Sequence, residues 1–201
     1  MLPRREGVLI SRTEIAARVR DLGLALTAAL ERDLAERAGL NGPPRGPAPG
    51  GGGGEHAVMI PVLTGALVFT ADLIRQMPVR LAIRPVTLSS YRGAATAPGG
   101  LEFRSDVPPG LRGRHVVIVD DILDTGNTLA ALRDRVRAEE PASLRIVVLL
   151  RKEKRRAAEV EADLVGFDIP DVFVVGYGLD YDGLERNLPD IVSLAAPGGA
   201  A

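Results

Sequence analysis

The sequence predicts an α/β fold in which a mostly parallel, twisted sheet is flanked by helices. Short apolar runs, which are typical of strands buried on both faces of a sheet, alternate along the chain with segments of helical spacing. Such alternation implies crossover connections that place helices on both faces of the sheet. The polar candidate residues directly follow the apolar runs, and sheets of this kind bind ligands beyond the carboxyl ends of their strands.

Length and composition set the broad class of the protein. The chain has 201 residues, a formal net charge of −1 and no cysteine. We expect a single domain over residues 1–201. The balanced charge does not favour nucleic acid or an acidic membrane, and the lack of cysteine excludes thiol catalysis and disulfides. No apolar run approaches the roughly 18 residues of a membrane span and no signal-peptide pattern follows Met1, so we expect a cytoplasmic protein.

The first predicted element is a helix that opens at Ser11-Arg-Thr-Glu14, a capping-box pattern. Its apolar stripe continues after Gly23 to a predicted stop at Gly39. Residues 41–54 are rich in glycine and proline and lack the Gly-Lys-Ser/Thr ending of a nucleotide-binding P-loop. We interpret them as a surface linker without chemistry.

The alternation of strands and helices resumes after the linker. The predicted elements are, in order, strand Ala57–Leu63, helix Gly65–Met77, strand Val79–Ser90, strand Leu101–Ser105, strand Val116–Val119, a helix over about 126–138, and strands Leu144–Leu150, Asp163–Phe167, Val172–Val175 and Asp190–Leu194.

The run from His115 to Leu129 is the most informative part of the chain. A buried strand leads into adjacent carboxylates at Asp120 and Asp121, a third carboxylate at Asp124, and the small polar turn Thr125-Gly-Asn-Thr128 that opens a helix. Backbone amides at a helix start can hold a phosphate, and carboxylates accept hydrogen bonds from the two hydroxyls of a ribose. One ligand that carries both groups is a 5-phosphoribosyl unit. The alternative is a buried strand followed by a helix that Asp124 or Thr125 merely caps.

This run resembles the phosphoribosyl-diphosphate (PRPP) motif of the type I phosphoribosyltransferases. With aspartate at position 124, the motif looks like that of the branch that handles 6-oxopurines. The resemblance implies that fold, with a small hood built from terminal segments and a flexible active-site loop. It also implies that Asp124 is the catalytic base for the purine N7 proton. The PRPP-binding residues implied within the run are Asp120, Asp121, Ile122, Leu123, Asp124, Thr125, Gly126, Asn127 and Thr128.

Two other segments match features of this family. Thr64 and Gly65 follow the strand Ala57–Leu63, and Gly65 allows close backbone approach to an anion. The family has its diphosphate-binding loop here, often with lysine in place of Thr64, so we expect backbone groups to hold the diphosphate. Ser89, Ser90 and Tyr91 precede a glycine-rich stretch, and the resemblance implies a lid there that excludes water, where the alternative is a plain hairpin loop.

The charged run Arg151–Arg156 follows the strand Leu144–Leu150. Lys152 matches the lysine that this family directs at the purine O6, where an ammonium distinguishes a 6-oxo from a 6-amino purine. We interpret Lys154–Arg156 as a solvated surface.

The stretch Phe173-Val-Val-Gly-Tyr-Gly-Leu-Asp-Tyr181 resembles the purine-binding end of these enzymes. The resemblance implies that Phe173 stacks on the base and that backbone groups of Val172 and Val174 meet its edge. It implies that Asp180 anchors Mg²⁺, with Asp120 as a second candidate ligand, and that Arg186 binds diphosphate. Phe167 is predicted to lie in the core, and His56 and His115 to be structural.

These assignments predict a transferase that moves the 5-phosphoribosyl group from PRPP to hypoxanthine or guanine, with Mg²⁺ as cofactor. The resemblance suggests a homodimer or homotetramer. Two alternatives are open: a pyrimidine-type enzyme that doubles as an RNA-binding regulator, and a non-catalytic repressor that senses PRPP. Asp124 and Lys152 oppose the first, and the full set of site residues opposes the second.

Overall fold

The computed structural model describes residues 3–41, 57–90, 101–103, 105–154 and 157–195. These ranges contain ten strands and three helices: β1 (Arg5–Ile10), α1 (Arg12–Asn41), β2 (Ala57–Leu63), α2 (Leu67–Ile74), β3 (Leu81–Ile83), β4 (Val86–Ser90), β5 (Leu101–Phe103), β6 (His115–Leu123), α3 (Asn127–Ala138), β7 (Ser143–Lys152), β8 (Leu164–Ile169), β9 (Phe173–Val175) and β10 (Ile191–Leu194).

The main sheet has the strand order β5-β4-β2-β6-β7-β8, with β3 also paired to β2. Its pairings are parallel, apart from the antiparallel edge pair β4–β5. The parallel strands therefore point their carboxyl ends toward one edge of the sheet, which is where the predicted site residues follow.

Alternate residues of the central strands pack against different helices. On one face, Met59, Val117 and Val147 pack in a core cluster with the apolar stripes of α1 and α2. On the other face, Ile118 and Val148 pack with the residues that α3 buries. Both faces of the sheet are covered, as the continuous apolar strands predict.

A second, three-stranded antiparallel sheet has the order β1-β10-β9 and joins the two terminal segments of the chain. It corresponds to the predicted hood. Strand β1 is not among the predicted elements, because only Ile10 of this strand is buried and its pairing with β10 is interrupted by irregularities in register. A strand that buries one residue leaves no alternating pattern in the sequence.

Two strand predictions were wrong in their extent. The single strand predicted over Val79–Ser90 is two strands, β3 and β4, which are interrupted at Arg84 and Pro85. Proline has no N–H to donate to a sheet, which explains the break. Strand β6 extends four residues beyond the predicted Val119, so the acidic pair lies on a strand and not in a loop.

Helix boundaries differ less. Helix α1 runs two residues past the predicted stop at Gly39, and Gly23 stays helical where Gln76 lies so close that a Cβ would collide with it. Helix α2 is shorter than the predicted Gly65–Met77. Apart from Asn41, the Gly/Pro-rich linker lies outside the described residues, as does His56. None of the described helices is long and apolar enough to cross a membrane.

A polar network ties α1 to the amino ends of the central strands. Asp33 of α1 accepts hydrogen bonds from Arg145 Nη2 at 2.6 and 2.8 Å and from Ser143 Oγ at 2.9 Å. The buried His115 places Nδ1 2.9 Å from the same Ser143 Oγ. These bonds lie at the opposite end of the sheet from the site residues, so the network anchors the helix without contributing to the site.

We expect Asp33→Ala to destabilise the protein by about 1–3 kcal/mol, because Arg145 and Ser143 both lose their shared acceptor. Thermal unfolding should register this as a Tm lower by several degrees. The matched control is Asp134→Ala, whose carboxylate pairs with Arg133 on an exposed face and should cost less than about 0.5 kcal/mol. Equal losses in the two variants would contradict an anchoring role for Asp33.

Candidate active site

The carboxyl edge of the main sheet brings the predicted residues into two clusters. The first, which we call the Gly65 cluster, consists of Gly65 after β2, Asp121 near the end of β6, and Gly178, Asp180 and Arg186 after β9. The second, which we call the Lys152 cluster, consists of Asp124 after β6, Lys152 and Lys154 around the end of β7, and Asp171 after β8. Between them the chain turns into α3.

Close packing around Gly65 joins three separated motifs. A Cβ on Gly65 would collide with the carboxylate of Asp121. Gly178 has a φ of +102°, and a Cβ there would lie 2.5 Å from the backbone oxygen of Gly65. Both positions therefore require glycine, and the loop after β2 lies between the acidic pair and the loop after β9. The peptide between Leu63 and Thr64, at the start of this loop, is cis.

The acidic pair after the apolar part of β6 is electrostatically strained, with Asp120 buried and Asp121 half-buried. Burial and the neighbouring charge of Asp121 raise the pKa of Asp120 well above its usual range. Burial also raises the pKa of Asp121, against the opposing effects of hydrogen bonds from Asp120 and the backbone and of the charge on Arg186. Two neighbouring carboxylates with raised pKa values form a strong site for donor hydroxyls or a cation.

Arg186 supplies the positive charge of the Gly65 cluster. Its Nη2 lies 2.8 Å from Asp180 Oδ1, and its Nη1 donates to the carbonyl of Gly178 at 2.5 Å. Asp180 Oδ2 accepts the Gly183 N–H at 2.7 Å. These contacts fix a guanidinium next to the loop after β2, where a diphosphate is expected to bind. The cationic partner that Thr64 does not provide is therefore available from Arg186.

The turn into α3 leaves backbone amides unclaimed by side chains. Gly126 is the N-cap residue with a φ of +83°, and no side-chain hydrogen bond caps this helix end. The alternative in which Asp124 or Thr125 serves only as a helix cap is therefore wrong. Asn127 is exposed and Thr128 is half-buried, so the helix start is accessible to an anion.

The Lys152 cluster combines two carboxylates with two ammonium groups. Lys152 Nζ lies 3.5 Å from Asp124 Oδ2 and 3.0 Å from Asp171 Oδ1. Lys154 Nζ forms an ion pair with Asp124 Oδ1 and lies 3.1 Å from Asp171 Oδ1. The pKa of Lys154 is raised by its contact with Asp124 and, to a smaller extent, with Asp171. The contact between Lys154 and Asp124 shows that the solvated surface predicted for Lys154 is wrong.

The segment after Asp171 carries the predicted base-binding residues. Phe173 lies edge-on to Tyr181, with ring centroids 5.5 Å apart and an interplanar angle of 74°. The side chain of Val174 is buried in the core, and the Val172 N–H donates to the Pro170 carbonyl at 2.8 Å. Phe167 is half-buried and packs against the core, as predicted.

The predicted lid is only partly covered by the structure. Ser89 and Ser90 are the last residues of β4 and pair with Glu102 and Leu101 of β5 in an antiparallel ladder. Tyr91 and the glycine-rich stretch that follows it lie outside the described residues.

Sequence reasoning missed Asp171 and Gly178 and misjudged Lys154. Asp171 lies two residues past the end of β8 at Ile169, but the strand predicted here ended at Phe167, so the sequence spacing did not place Asp171 at a strand end. The role of Gly178 had no signal in the sequence either, because its close contact with Gly65 depends on the path of two distant loops.

Residues 50–182 match the family of the phosphoribosyl transferase domain. The chain belongs to this family.

Individual relatives carry more specific names. The chain is 37% identical to the hypoxanthine-guanine phosphoribosyltransferase of Streptococcus pneumoniae over 184 residues, which cover 92% of this chain and 90% of that protein. It is 38% identical to the hypoxanthine phosphoribosyltransferase of Haemophilus influenzae over 181 residues, 90% of each chain. These matches confirm the predicted resemblance to the hypoxanthine(-guanine) phosphoribosyltransferases.

Solved structures of the same group share the fold. A hypoxanthine phosphoribosyltransferase of Staphylococcus aureus aligns with a TM-score of 0.77 at 34% identity, covering 95% of this chain and 92% of that chain. The enzyme of Trypanosoma cruzi, solved in complex with the product IMP, aligns with a TM-score of 0.75 at 34% identity, covering 95% of both chains. The predicted fold class is confirmed.

The donor set of this phosphoribosyltransferase fits a magnesium ion that arrives with its phosphate ligand. Within the described part of the chain, no group of three or more His, Cys, Asp or Glu side chains is arranged to hold a metal. Mg²⁺ is usually held by one or two carboxylates together with substrate oxygens, and a protein cage of several carboxylates is not needed. Asp120 and Asp180 offer such carboxylates at the same edge of the sheet.

The raised pKa of Asp120 predicts how the stability of the metal-free protein depends on pH. A carboxyl with a raised pKa in the folded state binds more protons folded than unfolded, so stability falls as pH rises from about 4 through the folded-state value. Asparagine keeps the acceptor for the Asp121 N–H, which Asp120 Oδ1 binds at 2.9 Å, and carries no charge. In a chelating buffer at pH 8 we expect Asp120→Asn to be more stable than wild type by about 1 kcal/mol or more, with the gain vanishing near pH 4.

Denaturant unfolding across this pH range measures the gain. The control is Asp134→Asn, because Arg133 lowers the pKa of Asp134 and its replacement should give no gain at pH 8. A pH-independent difference between Asp120→Asn and wild type would contradict the electrostatic strain of the pair.

Proposed function

We propose that this chain transfers the 5-phosphoribosyl group of PRPP to N9 of hypoxanthine or guanine, releasing diphosphate and giving IMP or GMP. The observation that carries the proposal is the adjacent placement of Asp124 and Lys152, 3.5 Å apart at the carboxyl edge of the sheet. A 6-oxopurine presents a proton on N7 directly beside the O6 acceptor. An acceptor carboxylate next to a donor ammonium matches that pair of groups, and an adenine amino group would meet the ammonium as donor against donor.

The relatives support this assignment by the ligands in their structures. The Trypanosoma cruzi enzyme has been solved with the product IMP, and a mutant of the same enzyme has been solved as a ternary substrates complex. We infer that the present chain binds the same classes of ligand, PRPP and a 6-oxopurine.

Each part of PRPP has a matching group in this chain. The amides of Asp124–Thr128, at the start of α3, would hold the 5′-phosphate with the help of the helix dipole. Asp120 and Asp121 would accept hydrogen bonds from the ribose hydroxyls and stabilise positive charge as it develops on the sugar. The loop of Thr64 and Gly65, with Arg186, would hold the diphosphate. Ile122 and Leu123 would contribute by placing these groups at the strand end.

The base would bind next to β9. Phe173 would stack on the purine ring, and backbone groups of Val172 and Val174 would meet its edge. The Val172 N–H already donates to the Pro170 carbonyl. Asp124 would take or share the N7 proton as N9 attacks the sugar, a contribution of about 10²–10⁴ in rate. Ser89, Ser90 and Tyr91 would belong to the lid that excludes water from the reacting sugar.

Mg²⁺ would be the cofactor, held by Asp180 and Asp120 together with substrate oxygens, and it would supply charge neutralisation of the diphosphate leaving group. We also propose that the chain acts as one domain and forms a homodimer or homotetramer, which light scattering after size-exclusion chromatography would test.

The decisive experiment is the initial rate of diphosphate release with PRPP, Mg²⁺ and each of five bases: hypoxanthine, guanine, xanthine, adenine and uracil. We expect turnover of hypoxanthine and guanine, with adenine and uracil at background, because only a 6-oxopurine satisfies both Asp124 and Lys152. Rapid turnover of uracil alone would favour a pyrimidine-type enzyme. No turnover with any base, together with a gel shift of nucleic acid, would favour a regulator.

Asp124→Asn should lower kcat by about a hundredfold or more and leave PRPP affinity little changed, because the amide keeps the shape of the loop and cannot accept the proton. Steady-state kinetics with hypoxanthine as the varied substrate measures the first effect, and PRPP binding by calorimetry measures the second. A wild-type kcat in this variant would exclude the role of Asp124 as base.

Lys152→Ala should lower kcat/KM for hypoxanthine by about ten- to two-hundredfold, which corresponds to the loss of a hydrogen bond from a charged donor of about 1.5–3 kcal/mol. Affinity for free PRPP should change far less. The matched control is Arg151→Ala, one residue earlier, whose guanidinium pairs with Asp168 at 2.5 and 2.9 Å. Similar losses in both variants would mean that Lys152 acts only as part of a charged surface.

A further inference from the structure

The Lys152 cluster contains two charged residues that the proposed function leaves without a role. Asp171 and Lys154 complete a closed arrangement in which each lysine contacts both carboxylates. Among these side chains only Lys152 is almost fully buried; Asp171 is about half exposed. A carboxylate at the surface that reaches in to a buried ammonium is placed to hold that ammonium in one position.

The choice of lysine at both positions is specific to this cluster. The chain contains 25 lysines and arginines, and lysine stands only at positions 152 and 154, so every other basic residue of this set is an arginine. Arginine holds a carboxylate in a fixed, forked geometry, whereas lysine is a compact charge on a flexible stem that can move between partners. A mobile ammonium at position 154 therefore suits a contact that has to change.

The charges of the Lys152 cluster show why Lys154 would have to change its partner when a purine binds. In the free protein, two ammonium groups compensate two carboxylates, and the Oδ1 atom of Asp124 that faces Lys154 is shielded from solvent. If a purine binds between Asp124 and Lys152, its N7 proton competes with Lys154 for Asp124. Lys154 then needs another carboxylate, and Asp171 Oδ1 is already 3.1 Å away.

We propose that Asp171 is a positioning residue of the base site, which holds Lys152 in place and retains Lys154 when a base takes over Asp124. This inference rests on the proposed function. Asp171 precedes the base-binding segment Val172–Val174, so the same turn that presents backbone groups to the purine also fixes the ammonium that reads its O6. Lys154 acts as a counter-ion that protects Asp124 in the free protein and moves aside during binding.

Other charged groups around the cluster do not replace Asp171. The cleft beside α3 that includes Lys154 is about 790 Å³ in volume, and its other charged lining residues are Arg133, Arg137, Glu159, Glu161 and Asp163. The pKa of Asp171 is lowered by contact with Lys152 first and Lys154 second, and the pKa of Lys154 is raised only by Asp124 and Asp171. The two lysines and two aspartates thus form the interacting set.

The kinetic test uses Asp171→Asn with Asp168→Asn as the matched control. Asp168 lies on β8, is exposed to a similar extent as Asp171, and pairs with Arg151 instead of a lysine of the cluster. We expect Asp171→Asn to lower kcat/KM for hypoxanthine by about tenfold or more while KM for PRPP stays within about twofold, because charge-assisted contacts of Lys152 are lost only on the base side. Asp168→Asn should remain within about twofold of wild type.

A second variant separates positioning from general damage to the fold. In the Asp171→Asn background, Lys154 has only Asp124 as a charged partner within the cluster and competes with the base. Adding Lys154→Ala should therefore raise kcat/KM for hypoxanthine at least about threefold above that of Asp171→Asn. Lys154→Ala alone should raise kcat/KM for hypoxanthine above that of wild type. A wild-type protein inactive with every base would overturn the proposed function itself. An active wild type in which Asp171→Asn equals Asp168→Asn, or in which Lys154→Ala worsens the double variant, would overturn this inference alone.

Because the chain has only two lysines, ¹³Cε-lysine labelling gives two side-chain signals for a test that does not depend on turnover. We expect Asp171→Asn to shift both signals and Asp168→Asn to shift neither. N7 of IMP carries no hydrogen, so Asp124 must take up a proton from solvent to donate a hydrogen bond to it. A neutral Asp124 no longer stabilises the Lys154 ammonium, so on saturation with IMP the pKa of Lys154 should fall toward its usual value. An unchanged Lys154 titration in the IMP complex, with Lys152 responding, would show that Lys154 never leaves Asp124 and would contradict the proposal.

Discussion

The position of β6 between β2 and β7 is the constraint on which the site depends. Pairing between β6 and β2 ends at Val119 and Pro61, whereas pairing between β6 and β7 continues to Leu123 and Arg151. The last residues of β6 therefore have a strand on one side only. On the other side lies the loop of Gly65, whose backbone is packed against Asp121. The acidic pair is held alongside β7, and the half-buried Asp121 faces the loop after β2.

The same geometry explains how charges are distributed along the edge. On the β2 side, burial and the charge of Asp121 raise the pKa of Asp120, and Arg186 opposes the rise in the pKa of Asp121. On the β7 side, two lysines and two aspartates compensate one another. A ligand with hydroxyls, phosphates and a purine edge would supply new partners to both sets. In the acidic pair, the charges lack full compensation in the free protein, and in the Lys152 cluster a ligand can replace existing ion-pair partners. Both arrangements favour binding of a ligand that supplies complementary groups.

The main sheet could be predicted from the sequence because its strands are buried on both faces. Runs such as Ala57–Leu63 contain only apolar residues, so burial leaves a direct mark on the sequence. Strand β1 could not be predicted, because it is held by backbone pairing to β10 and buries little more than Ile10. The extent of β6 was also hidden, since two adjacent aspartates are typical of a loop until β7 is seen to pair alongside them.

The candidate site was predictable where residues follow a strand end and unpredictable where they meet across the fold. Asp124 and Lys152 stand at the ends of neighbouring strands, so the parallel order of the sheet brings them together. The contact of Lys154 with Asp124 depends on how the chain turns after β7, where the Lys154 N–H donates to the Lys152 carbonyl at 3.0 Å. Local spacing suggests a solvated charge there, and only the turn shows that the side chain points back to the site.

The departure at Thr64 can be understood from the loop after β9. Thr64 is exposed on the loop after β2 and carries no charge, where the family often has a lysine. In this chain, Tyr177 donates a hydrogen bond to Asp72 of α2 at 2.7 Å, which ties the loop after β9 to the helix that follows Gly65. That tie holds Gly178 and Arg186 against the loop after β2. Arg186 is thereby fixed as a cation beside Gly65, while Thr64 adds no charge to its loop.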